Sequence, residues 1–514
     1  MADTTTALLF QELGRRGLRL RLDNAGGLKI YPATAVDPAL LGEIRAHKRE
    51  IVAALEAAAR SSPSSIAERP TLKRVELVDG VEPTYPQLAM LRAPSRFTLC
   101  ESMRIDGALD EGALRGSLAG LIARQDALRA RFVVNGGAVR MHVRPTVPDI
   151  LRVISLDADD PQALDQRVAA EIDTESRLPF DLQAGPLIRA LLMRISPVRH
   201  VLVLSVHHLV ADAWSFNVIK SDMAAFYEAE LQGSCAEPEP LRIGYGDFVH
   251  WQGQLRATHE LDRQLAYWGN ELASFAGQAS FPIGPESTGD STVLTRRLKF
   301  DPTAERLLRL KSFAALKGTT PYVVLVAAVQ LALAQYSGLE RQIVWTPISR
   351  RTQVELEKSV GLYTNLIAIV GRVEGHLTLN EFLTGIERKV LRAHENGDVS
   401  ALTAVMKNPA LRPNMPVVGL NVIDSSTLGG GWEFAGTTVT SIEAHRQDEA
   451  PVAALEVWLP VALDAMITVA YDTTIFSADA VKRIVTGMLG AVDALTGNSQ
   501  SRLADVVKFP HKTQ

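Results

Sequence analysis

Two adjacent histidines at the end of an apolar run have the residue types and spacing for acid–base chemistry. His207 and His208 follow the largely apolar residues 201–206, and Asp212 comes four residues after the second histidine. Such a run predicts a strand inside a sheet, whose end would present both imidazole rings to the space beyond. A histidine there can act as a general base, because its unperturbed pKa lies near neutral pH, and Asp212 could fold back to brace the loop. The alternative is a pair of core histidines at a strand end, which a short motif alone does not exclude.

The sequence HHLVADA at this place resembles the HHxxxDG motif of the condensation domains of non-ribosomal peptide synthetases. Those domains belong to a superfamily of acyltransferases that includes chloramphenicol acetyltransferase. The resemblance implies that His208 is the catalytic residue facing the reacting thioester, that His207 is structural, and that Asp212 holds the loop through an arginine. Ala213 replaces the family glycine and lacks its left-handed backbone freedom.

Other segments extend the resemblance along the chain. Residues 179–182 and 185–189 read PFDL and GPLIR, close to the family's PFDL…GPLxR, and residues 124–132 read RQDALRARF, close to RHExLRxxF with Gln125 at the histidine. Gln87 corresponds to the glutamine of the family's first motif. The resemblance therefore covers nearly the whole chain after residue 80.

The same resemblance assigns the remaining site residues. Arg351 keeps the family arginine's spacing to the VGLYTN segment at 360–365, which resembles IGxFVNT, so Arg351 is the expected partner of Asp212. Trp214, Ser215 and Asn365 are candidate tunnel or oxyanion contacts, although Asn365 could also be a turn residue.

Composition limits the function further. With 514 residues the chain is long enough for two to four domains, and its 46% hydrophobic and 22% charged residues are typical of a globular protein. A net charge of −4 argues against a nucleic-acid-binding protein. Cys100 and Cys235 lack the spacing of a disulfide framework or a metal site, so we expect no metal and a reducing cytoplasm. No signal peptide or membrane span is expected.

Residues 1–60 predict a separate αββα module. A helix over 6–16 precedes two alternating strands, which are separated by the turn-forming residues 23–27 and followed by a second helix. The module resembles the β-hairpin docking domains of some synthetase subunits, which bind the C-terminal tail of an upstream protein by strand addition. Arg19, Arg21 and Lys29 lie on the non-leucine face and could favour an acidic tail, or could simply be solvated.

The elements after a linker at 61–75 predict an α/β (α+β) fold. We expect strands at 190–195, 200–206 and 341–345, and helices at 113–122, 216–231 and 321–336. The family resemblance implies two chloramphenicol-acetyltransferase-like lobes, 76–255 and 256–514, which form a V with a tunnel between them.

The resemblance implies a condensation enzyme. It would transfer a polyketide or peptide acyl chain from the phosphopantetheine thioester of an upstream carrier protein to an amine or hydroxyl of a small or carrier-bound acceptor, and would bind no cofactor of its own. The stand-alone architecture resembles the enacyloxin-type enzymes that release the chain as an ester. The alternatives are a coenzyme A-dependent acyltransferase, an epimerisation-like domain and an inactive scaffold.

Overall fold

The fold is known from a computed structural model, and every structural statement below concerns the part of the chain that it describes. The described residues are 19–22, 28–31, 42–53 without 45 and 49, 70–77, 79–92, 97–156, 160–234, 240–275, 295–411, 417–423, 431–442, 453–460, 462 and 466–506.

The N-terminal segment contains the predicted hairpin. Strands β1 (Arg19–Leu22) and β2 (Leu28–Tyr31) pair antiparallel, and Arg21 lies opposite Lys29 in the register. Helical residues follow within 42–53. The predicted helix over 6–16 and the turn over 23–27 lie outside the described residues.

A five-stranded sheet forms the core of what we call the first lobe. Its strands lie in the order β13 (Thr437–Ile442), β3 (Thr98–Gly107), β8 (Arg199–His207), β7 (Ile188–Ser196) and β6 (Leu151–Ser155). The elements from residue 85 to residue 273 are α1 (Tyr85–Arg92), β3 (Thr98–Gly107), α2 (Glu111–Arg124), β4 (Ala130–Asn135), β5 (Ala138–Val143), β6 (Leu151–Ser155), α3 (Pro161–Arg177), β7 (Ile188–Ser196), β8 (Arg199–His207), α4 (Ala213–Leu231), α5 (Tyr245–Arg256) and α6 (His259–Ala273).

Strand β8 is buried along almost its whole length because it lies in the middle of this sheet. It pairs antiparallel with β3 on one side and with β7 on the other. Residues 200–207 of β8 are all buried, as the apolar run predicts. Its last residue, His207, lies opposite Thr98 of β3, so the two histidines emerge at one edge of the first lobe.

A six-stranded sheet in the order β11-β10-β12-β14-β15-β9 forms the core of the second lobe. The elements from residue 295 onward are β9 (Thr295–Phe300), α7 (Ala304–Lys317), α8 (Pro321–Ser337), β10 (Arg341–Ser349), β11 (Thr364–Arg372), α9 (Leu379–Glu395), α10 (Ala401–Lys407), β12 (Val418–Ile423), β13 (Thr437–Ile442), β14 (Leu455–Pro460), β15 (Ile467–Asp472), α11 (Ala478–Gly497) and α12 (Leu503–Val506).

Local sequence signals account for the long central helix of the second lobe. Thr320 accepts a hydrogen bond from the Val323 amide as the N-cap of α8, Pro321 is the first helical residue, and Gly338 ends the helix with a left-handed φ of 70°. All residues from Val323 to Ala334 are buried. The mixed α/β fold expected from the sequence is therefore confirmed.

One strand does not follow the predicted boundary between the lobes at residues 255 and 256. Strand β13 lies in the C-terminal half of the chain, but it pairs antiparallel with β3 and adds an edge strand to the first lobe's sheet. The second half of the chain thus contributes to both sheets, and the domain boundaries themselves stay predictions. Among the described residues no single helix is long and apolar enough to cross a membrane; α7 and α8, bent by 112°, pass that test only as a pair, by length and composition.

Candidate active site

His208 lies in a tight turn immediately after β8. Its main-chain amide donates to the Phe97 carbonyl at 2.7 Å, and its ring Nδ1 lies 2.5 Å from the Ala211 carbonyl oxygen. A carbonyl oxygen only accepts hydrogen bonds, so Nδ1 carries the proton and the neutral ring has its lone pair on Nε2. The half-buried imidazole is therefore held in the tautomer that a general base requires.

His207 has a different environment. Its side chain is buried, its Nδ1 accepts the Leu209 amide at 3.1 Å, and its ring meets the edge of Phe180. Burial, together with the charges of the nearby His208 and Arg189, lowers the pKa of His207 to about 4. His207 is thus neutral at physiological pH, consistent with the structural role predicted for it.

Asp212 connects the histidine loop to the second lobe. The guanidinium of Arg351 donates two hydrogen bonds to its carboxylate, at 2.8 and 3.1 Å, and both side chains are buried. Asp212 also accepts from the amides of Ser215 and Tyr363, at 2.9 and 3.2 Å. The structure therefore brings together the pair predicted from the sequence, and it adds a helix cap because Asp212 is the N-cap of α4.

Ser215 belongs to this buried network and is not placed as an oxyanion contact. Its hydroxyl lies 2.8 Å from the Asp212 carboxylate, 3.0 and 3.1 Å from the Gly361 carbonyl oxygen and amide nitrogen, and 3.2 Å from the Arg351 guanidinium. A hydroxyl has one proton to donate, and both acceptors within reach are protein atoms. The prediction of an oxyanion contact is corrected accordingly.

Gly361 allows the second lobe to approach the histidine loop closely. A Cβ atom at this position would lie 2.1 Å from Cδ2 of the fully buried Tyr245. The Tyr245 hydroxyl donates to the Leu362 carbonyl at 3.2 Å, which fixes the ring against this segment. Only a residue without a side chain fits between Tyr245 and Ser215.

Gln125, which stands at the family's histidine position, connects the two lobes by hydrogen bonds. Its Nε2 donates to the Asp222 carboxylate at 2.8 Å and to the Lys358 carbonyl at 3.1 Å, and its Oε1 accepts the Val360 amide at 2.8 Å. It is fully buried. In the sequence, Gln125 was notable only because it replaces the family histidine. Its hydrogen bonds could not be predicted, because its partners lie about a hundred residues or more away in the chain.

Gln87 of helix α1 hydrogen-bonds the histidine loop. Its Nε2 donates to the Leu209 carbonyl at 2.8 Å, and its Oε1 accepts the Thr84 amide at 2.9 Å. The buried glutamine therefore ties α1 to the residue that follows His208. The match to the first family motif located this residue but not its contact.

The side chains of Trp214 and Asn365 both donate hydrogen bonds to the main chain. The Trp214 indole uses its single N–H to donate to the Glu357 carbonyl at 3.0 Å. Asn365 is buried within the second lobe, where its amide nitrogen donates to the Gly397 and Asp398 carbonyls at 2.7 and 2.9 Å. Both side chains bind main-chain carbonyls, which places Asn365 in the interior of the second lobe, while a tunnel contact of the half-buried Trp214 ring stays a prediction.

Ala213 tolerates the loss of the family glycine for a simple reason. It is the first residue of α4, whose right-handed helical backbone an alanine adopts without strain. A left-handed conformation is not needed here. Among the described residues Thr303 is the one non-glycine with positive φ.

The arrangement as a whole suits acid–base chemistry. It offers one imidazole with a defined tautomer, on the same loop as a carboxylate whose charge is matched by Arg351. The described residues contain no group of three or more histidine, cysteine or acidic side chains that could hold a metal ion.

Comparisons with known proteins agree with this arrangement. Residues 85–514 match the model of the condensation domain family. Phosphinothricin tripeptide synthetase PhsC of Streptomyces viridochromogenes is 28% identical over 331 residues, which are 63% of this chain and 29% of that protein. Gramicidin S synthase 2 of Brevibacillus brevis is 25% identical over 417 residues, 81% of this chain and 9% of that protein. The chain thus spans less than a third of the length of these relatives.

Solved structures show the same fold. The X-domain from teicoplanin biosynthesis superimposes with a TM-score of 0.72 at 22% identity, covering 85% of this chain and 99% of that one. The EpoB cyclization-docking bidomain from Sorangium cellulosum superimposes with a TM-score of 0.67 at 20% identity, covering 96% of this chain and 99% of that one.

Proposed function

The chain belongs to the condensation domain family, and on that premise we propose that it transfers an acyl chain from a carrier-protein phosphopantetheine thioester to a hydroxyl or amine acceptor. Condensation domains of non-ribosomal peptide synthetases are acyltransferase-type enzymes that form amide or ester bonds. The donor, the acceptor and the release of the chain are proposals for this protein.

The observation that carries the proposal is the 2.5 Å contact between Nδ1 of His208 and the Ala211 carbonyl oxygen. The Ala211 carbonyl accepts the Nδ1 proton, so Nε2 is the nitrogen of this tautomer that can accept a proton from an attacking nucleophile. The loop that carries this ring is fixed by Asp212 and Arg351, so the imidazole is oriented before substrate binds.

The proposed reaction exchanges one acyl bond for another. The hydroxyl or amine of the acceptor attacks the thioester carbonyl and passes its proton to Nε2 of His208. The new C–O or C–N bond forms, the C–S bond breaks, and the thiolate of the phosphopantetheine arm leaves with the proton that His208 returns. His207 takes no part, because its buried ring accepts the Leu209 amide and its lowered pKa makes it a weak base.

We further propose that the N-terminal hairpin binds the C-terminal tail of the upstream carrier protein. The family model matches residues 85–514, whereas the cyclization-docking bidomain covers 96% of this chain. The likeness to the bidomain therefore extends into the residues before 85. Two short paired strands offer an edge for strand addition. Arg19, Arg21 and Lys29 would favour an acidic tail, and replacing all three by glutamate should raise the carrier concentration needed for half-maximal rate. An ester-forming release step and a cytoplasmic location also remain proposals.

Intact-protein mass spectrometry tests the main proposal. An acyl-loaded carrier protein is incubated with the enzyme and a panel of amine and hydroxyl acceptors. Acceptor-dependent loss of the acyl mass that disappears in His208→Ala supports the proposal and names the nucleophile. His376→Ala, which changes an exposed histidine, is the matched control and should behave as wild type.

The alternatives give different results in the same experiment. Consumption of acyl-coenzyme A while the carrier keeps its acyl group would favour a coenzyme A-dependent acyltransferase. Inversion at the acyl α-carbon without transfer would favour an epimerisation-like domain, and no reaction of any donor would favour a scaffold.

A further inference from the structure

The β4–β5 hairpin of the first lobe carries a face of positively charged side chains. Arg131 of β4 lies opposite His142 of β5 in the antiparallel register. Arg140, two residues before His142, projects from the same face because side chains alternate along a strand. Both arginines are exposed. In a protein with a net charge of −4, this face is a local excess of positive charge that attracts anions.

A cavity of about 480 Å³ lies beside this face. Arg131, His142 and Arg144 contribute its polar lining, and Leu77 and Val143 contribute apolar surface. The volume is within the range of small-molecule sites, which is roughly 300–1,000 Å³. The described residues that line the cavity include no acidic side chain. The cavity therefore has the size and the charge of a site for a small anion.

The arginines of this region are held in place without being neutralised. Arg144 donates from Nη1 to the Ala184 carbonyl at 3.0 Å, and Arg140 donates from Nη1 to the Gly80 carbonyl at 3.2 Å. Within the described part of the chain, Arg131, Arg140 and Arg144 form no ion pair with a carboxylate. A guanidinium has five N–H donors, so most of them remain for a ligand.

The pKa of His142 reflects the same excess of positive charge. Burial and the charges of Arg131 and Arg140 lower the pKa, in that order, while the charge of Asp79 raises it. The imidazole is therefore disfavoured as a further cation. An anion in the cavity would relieve the repulsion among the positive groups.

A larger cavity of about 860 Å³ adjoins this one and shares Leu77 and Val143 with it. Its charged lining is balanced, with three arginines and three acidic side chains: Arg74, Arg124, Arg129, Glu76, Asp126 and Asp247. An anion there would meet repulsion as well as attraction, so the smaller cavity is the better site.

The smaller cavity is separate from the histidine loop. Met141 of β5 is buried and projects from the opposite face of the hairpin, where its sulfur lies 3.8 Å from Nε2 of Gln87. The same Nε2 donates to the Leu209 carbonyl, next to His208. The hairpin thus has one face toward the histidine loop and the charged face away from it.

We propose that the cavity lined by Arg131, His142 and Arg144 binds a small organic molecule through a phosphate monoester group. Guanidinium groups bind phosphate oxygens with two parallel hydrogen bonds, and the two arginines of the lining balance the charge of a phosphate monoester, about −1.5 to −2 at neutral pH. Leu77 and Val143 would contact the organic part. The inference goes beyond the proposed function and does not depend on it.

Isothermal titration calorimetry with phenyl phosphate tests the site on the whole chain at low salt. Wild type should bind one phenyl phosphate saturably and should not bind phenol, which lacks the anion. Arg131→Gln/Arg144→Gln should weaken binding roughly tenfold or more, as the loss of charge-assisted hydrogen bonds allows. Arg131 is exposed, so Arg131→Gln alone should fold and weaken binding in the same direction if the double variant is unstable.

Two control proteins separate this site from net charge and from the histidine loop. Arg104→Gln/Arg199→Gln removes the same charge from two exposed arginines that pair with Asp106, and it should bind phenyl phosphate as wild type does. His208→Ala should also bind as wild type does. Equal weakening in either control, no saturable binding by wild type, or unchanged binding by Arg131→Gln/Arg144→Gln would overturn the inference. Binding of a hexaglutamate peptide without binding of phenyl phosphate would also overturn it, and would assign the charged face to an acidic protein partner.

Discussion

Arg351 of the second lobe and Asp212 of the first form a buried, bidentate ion pair where the lobes meet. The pair holds the loop that carries His208 and caps helix α4 at the same time. Tyr363 lies under the guanidinium, whose carbon is 4.0 Å from the ring centroid. The same ion pair therefore stabilises both the loop that carries His208 and the contact between the lobes.

Removing one member of this pair should destabilise the protein strongly. Arg351→Leu leaves the Asp212 carboxylate buried without its counter-charge, and we expect a loss of about 3–5 kcal/mol in the free energy of unfolding, measured by urea denaturation. Arg372→Leu breaks an exposed ion pair and should cost about 0–1 kcal/mol. If the two variants lost equal stability, the pair would not have the structural importance given to it here.

Gly361→Ala should destabilise the lobe junction by overpacking. The new methyl group would meet Tyr245 at 2.1 Å, and the segment that hydrogen-bonds Ser215 would have to move. We expect a loss of about 1–3 kcal/mol together with a lower turnover rate. Gly253→Ala is the matched control: this glycine lies within helix α5 with no atom near its Cβ position, so the change should be neutral or slightly stabilising.

Gln125→Leu should test the hydrogen bonds that connect the end of α2 to the 358–360 segment. The substitution keeps a similar volume but leaves the Asp222 carboxylate and the Val360 amide without this partner. A loss of about 1–3 kcal/mol in unfolding free energy is expected for each buried group left unsatisfied. The exposed Gln183→Leu should change little, and a Gln125→Leu protein as stable as wild type would contradict the assignment.

His207 should make stability fall in mild acid. Its pKa is about 4 in the folded protein against 6.5 for an ordinary histidine, so between these pH values the unfolded chain binds a proton that the folded chain does not. The free energy of unfolding should therefore decrease as pH falls from about 6.5 towards 4, by roughly 3 kcal/mol at most. Thermal unfolding at several pH values, compared with His207→Gln, checks this. The variant should lose that part of the pH dependence, and identical pH profiles would contradict it.

The sequence predicted the elements better than the contacts between them. The buried strand that precedes the two histidines and the helix that begins after Thr320 both follow from local patterns, and each is present. Arg351 was matched to Asp212 by its spacing within a family motif. By contrast, strand β13 on the first lobe's sheet and the bonds of Gln125 depend on long-range pairing, which neither periodicity nor capping can specify.

Three residues predicted to contact substrate form hydrogen bonds within the protein itself. Ser215, Trp214 and Asn365 are polar residues near the histidine loop or the lobe junction in sequence, and proximity suggested contact with substrate. Each hydrogen-bonds a group of the protein, and Ser215 and Asn365 do so fully buried, as most buried polar side chains do. Whether a polar residue faces a ligand or the interior depends on the register of its strand or helix, which the motif does not contain.

The most direct test of the central claim is the single-turnover rate of acyl transfer from a loaded carrier protein by His208→Ala, measured beside its thermal unfolding. A group that accepts the proton of the nucleophile contributes about 10²–10⁴-fold, so we predict a rate lower by that factor. The unfolding temperature should change little because the ring is half-buried and its removal leaves both members of the Asp212–Arg351 pair in place. A transfer rate equal to that of wild type and of His376→Ala would contradict the assignment of His208 as the catalytic residue.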